Sequence, residues 1–215
     1  MTNAPAGNAA VGAAPDPRVV STGPDHALLV VDMQHDFGHP EGSLYVRGAE
    51  DIVEPIVAAI HATKAAGGLV VYTQDWHPEQ TPHFAEHGGL WPVHCVIDSR
   101  GAAMLPGVPV HGPVVRKGSG PEDGYSGFSV LHLPTGENRD TELSDILDEN
   151  GVLAITVVGL AGDWCVKSTA IDGVRLGYRV TVPLALTRFV ELRPGDADAA
   201  IAEMRAAGVT LIEPN

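Results

Sequence analysis

Residues Ile155 to Cys165 read ITVVGLAGDWC. The first part, Ile155 to Leu160, is a continuous apolar run, the mark of a strand covered on both faces. Ala161-Gly162-Asp163 lead out of it into a helical pattern that ends near Gly177. A buried strand passing straight into a helix is the repeating unit of a parallel α/β sheet.

The chain on either side repeats that alternation. Ala27 to Val31 (ALLVV) is another short buried run. A helix is expected over Asp51–Ala66, with Ile52, Ile56 and Ile60 on one face beside Val53 and Val57. Pro55 is tolerable only near its first turn, and Gly67 and Gly68 end it. Leu69 to Thr73 then reads as a second strand, and Val108 to Val115 as a third, weakened by Pro109 and Pro113. A short helix over Glu142–Glu149 turns Leu143, Ile146 and Leu147 inward, with Thr141 as its cap. Strands at Tyr178–Leu184 and Val209–Ile212, separated by a helix over Asp196–Ala207, bring the expected number of strands to six. The reading is α/β: one domain with a six-stranded, mostly parallel sheet and helices on both faces, in a Rossmann-like three-layer arrangement.

Three stretches do not follow the alternation. Residues 1–24 are rich in Ala, Gly and Pro and read as a mobile arm outside a domain spanning 25–215. Trp76 to Pro109 and Gly118 to about Arg139 have no clean period, and loops this long usually carry function.

Composition narrows the classes. At 215 residues the chain fits one domain with a sizeable core, and 44% apolar with 19% charged residues is ordinary for a globular protein. A net charge of −14 argues against a nucleic-acid partner. No apolar stretch is long enough to suggest a membrane span, and no secretory signal is expected. Cys95 and Cys165 are too few for a disulfide framework, so free thiols in a reducing, cytoplasmic setting are expected. An oligomeric state is not readable.

Polar residues collect at the carboxyl ends of the strands, where open parallel sheets bind ligands. Asp32 closes the first strand, Asp75 and His77 the second, Lys117 the third, and Cys165 opens the helix after the fourth. Singly, each has an ordinary reading: a turn-forming Asp, a surface Lys, a buried Cys. Together they form an acyl-transfer set. A helix N-terminus favours a thiolate, a carboxylate can take and return its proton, and a lysine offsets the charge. A second set is metal-like. Asp75 and His77 emerge on one side of an extended chain, and His83 and His94 follow in the Pro-rich loop. One carboxylate with two or three imidazoles suits a divalent first-row metal with open positions. His39 and His87 read as solvated.

The combination of VDMQHDF (Val31–Phe37), EGSLYV (Glu41–Val46), TQDWHP (Thr73–Pro78), WPVHC (Trp91–Cys95), RKG (Arg116–Gly118), YSGF (Tyr125–Phe128) and GLAGDWCVKSTA (Gly159–Ala170) resembles the nicotinamidases, or pyrazinamidases, of the isochorismatase-like cysteine hydrolases. The resemblance runs from about His26 to Glu213. It implies a catalytic triad of Asp32, Lys117 and Cys165, and metal ligands Asp75, His77 and His94, with His83 added in some relatives. The metal would be one divalent ion, zinc before iron or manganese. Phe37 and Trp91 match residues that sandwich the substrate ring, and Tyr125 one that lines the pocket. The Leu160–Ala161 peptide falls where relatives have a cis bond, which turns the Ala161 amide, with that of Cys165, toward the reacting carbonyl as an oxyanion hole.

The implied reaction is hydrolysis of nicotinamide to nicotinate and ammonia, and of pyrazinamide likewise, through a cysteine thioester. Cys165 separates this chain from isochorismatases, and Asp75, His77 and His94 from carbamoyl and maleamate amidases. Two alternatives stand beside it: a family amidase acting on another small amide, and a non-enzymatic metal-binding member. Gly162 where threonine is usual, Trp164 where tyrosine or histidine is common, and the content of Ser119–Gly124 depart from the pattern.

Overall fold

In a computed structural model of the chain, residues 23–214 are described. The expected N-terminal arm lies, up to residue 22, outside the described residues. Strands β1 (His26–Val31), β2 (Leu69–Asp75), β3 (Val114–Lys117), β7 (Ala154–Leu160), β8 (Arg179–Pro183) and β10 (Thr210–Ile212) form a parallel sheet in the order β10-β8-β7-β1-β2-β3. These are the six strands expected from the sequence. Short β9 (Thr187–Arg188) adds to the end of β7, making the sheet seven-stranded.

Both faces are covered, which explains the unbroken apolar runs. Successive side chains of a strand point to opposite faces. Leu28 and Val30 of β1 accordingly join the cluster under α2 (Val53–Ala65), with Ile52, Ile56 and Ile60. Ala27, Leu29 and Val31 join the opposite cluster with α3 (Leu143–Glu149), α4 (Cys165–Arg175) and α5 (Asp196–Ala206), through Leu143, Leu147, Val166, Ala170 and Met204. Leu143 and Leu147 of α3 are buried, Ile146 is half-buried, and the Thr141 hydroxyl accepts from the Leu143 amide. Pro55 lies in the first turn of α2, where a missing N–H costs nothing. A one-turn helix, α1 (His35–Gly38), follows β1, and a short 3₁₀ segment, Ala49–Ile52, carries the chain into α2.

Two expectations change. The third strand begins at Val114, not Val108; Pro109 and Pro113 keep the preceding residues out of the ladder, where a proline has no N–H to give. The stretch from Gly118 to Arg139, read as irregular, holds a small antiparallel sheet of β4 (Glu122–Asp123), β5 (Ser129–His132) and β6 (Glu137–Asp140). All four residues of β6 are exposed, so no apolar alternation announced it.

The topology creates the crevice. From β1 the chain builds outward to β2 and β3, then returns to β7 on the other flank of β1. The direction of winding therefore reverses between β1 and β7, and ligands bind beyond the carboxyl ends of the strands at such a point.

Candidate active site

Register brings the strand ends together. β1 pairs with β7 so that Val31 lies opposite Gly159, which sets Asp32 beside the exit of β7 toward Cys165. On the other flank Asp75 lies directly across from Lys117. The buried Lys117 ammonium stands 2.9 Å from Asp32 Oδ2 and 3.6 Å from Cys165 Sγ, and also donates to Asp75 Oδ1. Burial works against its charge, but Asp32 and Asp75 outweigh it and hold its pKa well above the usual lysine value. The three side chains expected to act together are thus in contact.

Asp32 has a left-handed backbone, φ 47°, uncommon for a non-glycine residue and costing about 1–3 kcal/mol. Thr73 holds it there. Its hydroxyl accepts from the Asp32 amide at 3.2 Å and donates to Asp32 Oδ1 at 2.5 Å. Burial pushes the Asp32 carboxyl up; Lys117 pulls the other way, and Asp75 adds to the rise. Burial likewise raises the Cys165 thiol well above its ordinary value, with Lys117 opposing and Asp32 adding. Burial thus works against the pull of Lys117 and of the start of α4 toward a thiolate, which gives a neighbouring proton acceptor a purpose.

Beyond β2 the second set assembles. His77, His83 and His94 are buried, and one ring nitrogen of each lies within 4.8 Å of the others. Asp75 Oδ2 faces them, 3.7 Å from His77 Nε2 and 3.8 Å from His94 Nε2. The remaining nitrogens show how two rings are aimed. His94 Nδ1 is 2.7 Å from the Pro92 carbonyl, and His83 Nδ1 is 2.7 Å from Asp123 Oδ1, leaving both Nε2 atoms free. His77 has no partner at either nitrogen. Burial lowers its pKa against the pull of Asp75, which keeps the ring neutral and its lone pair available. Asp75 itself is held well below the carboxylate range: burial opposes its ionisation, and Lys117, His77 and His94 overcome that. Buried imidazoles with one carboxylate oxygen are the donor set a divalent first-row cation takes, so these residues fit a metal. Gly118 is required beside them. Its φ is 74°, and a Cβ there would sit 2.5 Å from the His77 ring.

His87 is exposed, and half-buried His39 stacks on His35 at 4.5 Å, so neither joins the cluster. Cys95 is free and buried.

Both sets open onto one cavity. Phe37, Trp91 and Tyr125 line it, along with Asp32, Asp75, His83, His94 and Cys165. Trp164, a departure from the pattern next to the nucleophile, lines it too, and Leu44, Val46 and Val190 also line it and were not anticipated. Leu44 and Val46 lie within the quoted EGSLYV stretch, whose apolar alternation was the available signal. The Leu160–Ala161 peptide is cis. Among the described residues neither the Ala161 nor the Cys165 amide donates to a protein acceptor, and both residues line the cavity.

This arrangement matches known proteins over nearly its whole length. Residues 26–214 match the isochorismatase domain family. A nicotinamidase of Escherichia coli (strain K12) is 35% identical over 206 residues, covering 87% of this chain and 94% of that protein. Among solved structures, PnC1 from L. infantum in complex with nicotinate superposes with a TM-score of 0.81 at 36% identity, covering 90% of this chain and 96% of that one. The pyrazinamidase of Pyrococcus horikoshii in complex with zinc gives 0.78 at 34% identity, covering 88% and 99%.

Proposed function

The chain belongs to the isochorismatase family, and from that premise we propose that it is an amidohydrolase converting nicotinamide to nicotinate and ammonia. The observation that carries the reading is the contact of Lys117 with Asp32 and Cys165, two residues that line one cavity with Asp75, His83 and His94. The nicotinamidase and pyrazinamidase relatives support it.

Phe37 and Trp91 hold the flat pyridine ring between them, and Tyr125 closes the pocket beside it. Asp75, His77 and His94, with His83 as a further nitrogen donor, would hold a divalent cation that would supply a Lewis-acidic anchor for a ring nitrogen. Zinc is the first choice, supported by the zinc complex of the Pyrococcus horikoshii relative. The aromatic walls set the amide carbon beside Cys165 Sγ, a gain in proximity and orientation.

Asp32 takes the thiol proton as Sγ attacks that carbon. Its raised carboxyl suits a group that must both accept and return a proton. Lys117 stays charged and offsets the anion left on sulfur. The Ala161 and Cys165 amides receive the carbonyl oxygen as it gains negative charge. Asp32 then returns its proton to the leaving nitrogen. The C–N bond breaks, ammonia departs, and a thioester to Cys165 remains. Water, deprotonated by Asp32, attacks the thioester carbon; the C–S bond breaks, nicotinate forms and the thiol is reprotonated.

Ammonia release measured on nicotinamide, pyrazinamide and an N-carbamoyl amino acid tests the reading. Turnover of the first two and not the third is expected. A preference for the carbamoyl compound would assign the chain to a different amidase.

A further inference from the structure

The side chain of Trp164 separates the reaction cavity from a second, larger space. An open groove of about 980 Å³ lies beyond it, and Trp164 and Tyr125 line both. Trp164 precedes α4, and its backbone is fixed on each side: its N–H donates to the Ala161 carbonyl at 3.0 Å, and its carbonyl accepts from Ser168 at 2.9 Å. The turn that delivers Cys165 therefore also fixes where the indole starts. The ring is then braced. It meets Trp91 edge-on at 4.8 Å and Tyr125 at 4.8 Å, and Trp91 Nε1 donates to the Tyr125 hydroxyl at 3.2 Å. Three aromatic rings, mutually supported, form the wall.

The groove behind the wall has a definite chemistry. Leu90 and Leu192 are more than half exposed on its lining, an unusual placement for leucine at a concave surface. Several charged residues that share the lining are already engaged. Lys167 pairs with Glu203 at 2.8 Å, and the Asp163 carboxylate accepts from the Val190 and Glu191 amides at 3.0 and 2.8 Å, while exposed Arg193 also borders the groove. The two leucines offer an apolar surface to an uncharged, flat group.

We propose that Trp164 is the size-determining residue of the site: its indole confines the substrate to a single ring and shuts off a latent apolar subsite lined by Leu90 and Leu192. The inference rests on the amidase reading above. A bulkier substrate is rejected because its extra ring would have to displace an indole held by two other aromatic rings, an exclusion by clash rather than by missing attraction.

The test compares the parent with Trp164→Phe and Trp164→Ala on nicotinamide, on quinoline-3-carboxamide and on 5-phenylnicotinamide. Each keeps the ring nitrogen and the amide in the same relation. The parent should strongly favour nicotinamide. The ratio of kcat/KM for the better bulky amide to that for nicotinamide should rise about tenfold or more in Trp164→Ala, the range one hydrophobic wall can enforce, with Trp164→Phe between. If Trp164 only supports Trp91, both rates fall together and the ratio stays constant, which overturns the proposal. A parent that hydrolyses the bulky amides as well as nicotinamide also overturns it. Should Trp164→Ala fail to fold, an unchanged ratio in Trp164→Phe is sufficient to reject it. A parent inactive on nicotinamide would instead refute the amidase reading.

Discussion

The Asp123 carboxylate, on the two-residue strand β4, holds His83 by its Nδ1 at 2.7 Å and so points the other ring nitrogen at His77 and His94. The contact pulls the Asp123 carboxyl below its usual range, with burial opposing. A carboxylate behind an imidazole fixes its tautomer and raises its basicity toward a metal. Asp123→Ala should therefore weaken metal binding about 10- to 100-fold, read by competition with a chromophoric chelator. Unaltered affinity would mean that His83 is not a ligand, since its aim depends on Asp123.

Asp123 also marks the boundary of what sequence could reveal. The parallel sheet was legible because strands covered on both faces must be apolar throughout, as in ALLVV and ITVVGL. Asp32, Lys117 and Cys165 were legible because each directly ends a strand or starts a helix at the ligand-binding edge. Thr73 and Asp123 act only through another side chain, across 41 and 40 residues, and no local spacing records that. The sheet of β4, β5 and β6 was hidden because its edge strand, ENRD, is fully exposed. Trp164 was visible as an oddity next to the nucleophile, but its role depends on Trp91 and Tyr125, brought to it by the fold.

Replacing the nucleophile gives the simplest contrast. Cys165→Ala should reduce turnover by ~10² or more while metal content and folding are retained. Cys95→Ala should be mild. Cys95 is buried among Ala102, Leu105 and other members of the α2-side core, and its thiol is held well above its ordinary pKa by burial. Substantial ammonia release by Cys165→Ala would remove the thioester from the mechanism.

His26 should couple stability to pH at the opposite end of the sheet. Its ring is buried, with Nε2 at 3.0 Å from Thr156 Oγ1 and no partner at Nδ1. Burial lowers its pKa from 6.5 to about 4, against the pull of Asp25 and with help from Arg179. Between those values the unfolded chain binds the proton and the folded one does not, so stability is lost as pH falls. The loss should be on the order of 1 kcal/mol at pH 5 relative to pH 7, allowing for solvent screening. The informative quantity is the difference from His26→Gln, which cancels every other titrating group. Urea midpoints of parent and variant should converge as pH drops from 7 to 5; parallel curves would exclude His26 as the coupled group.

The nucleophile and the metal cluster touch through Lys117 and Asp75, yet two substitutions should separate them. His94→Ala removes one imidazole and leaves Asp32, Thr73 and Lys117 around Cys165 in place. Its thiol should still be alkylated by iodoacetamide, while the protein holds less metal and turns over nicotinamide poorly. Asp32→Asn is the converse. The amide oxygen can keep the Thr73 hydrogen bond, and Asp75, His77, His83 and His94 are unchanged, so metal content should stay near that of the parent. What is lost is the acceptor for the thiol proton. Turnover should fail for want of a base, while loss of the Asp32 charge, which adds to the rise of the Cys165 thiol, should leave alkylation no slower. Elemental analysis reads the metal, and mass spectrometry of the Cys165 peptide reads the thiol. Full metal and activity in His94→Ala would refute the ligand assignment. Parent-like turnover in Asp32→Asn would leave Asp32 as a strained turn residue held by Thr73, and the base would have to be sought elsewhere in the cavity.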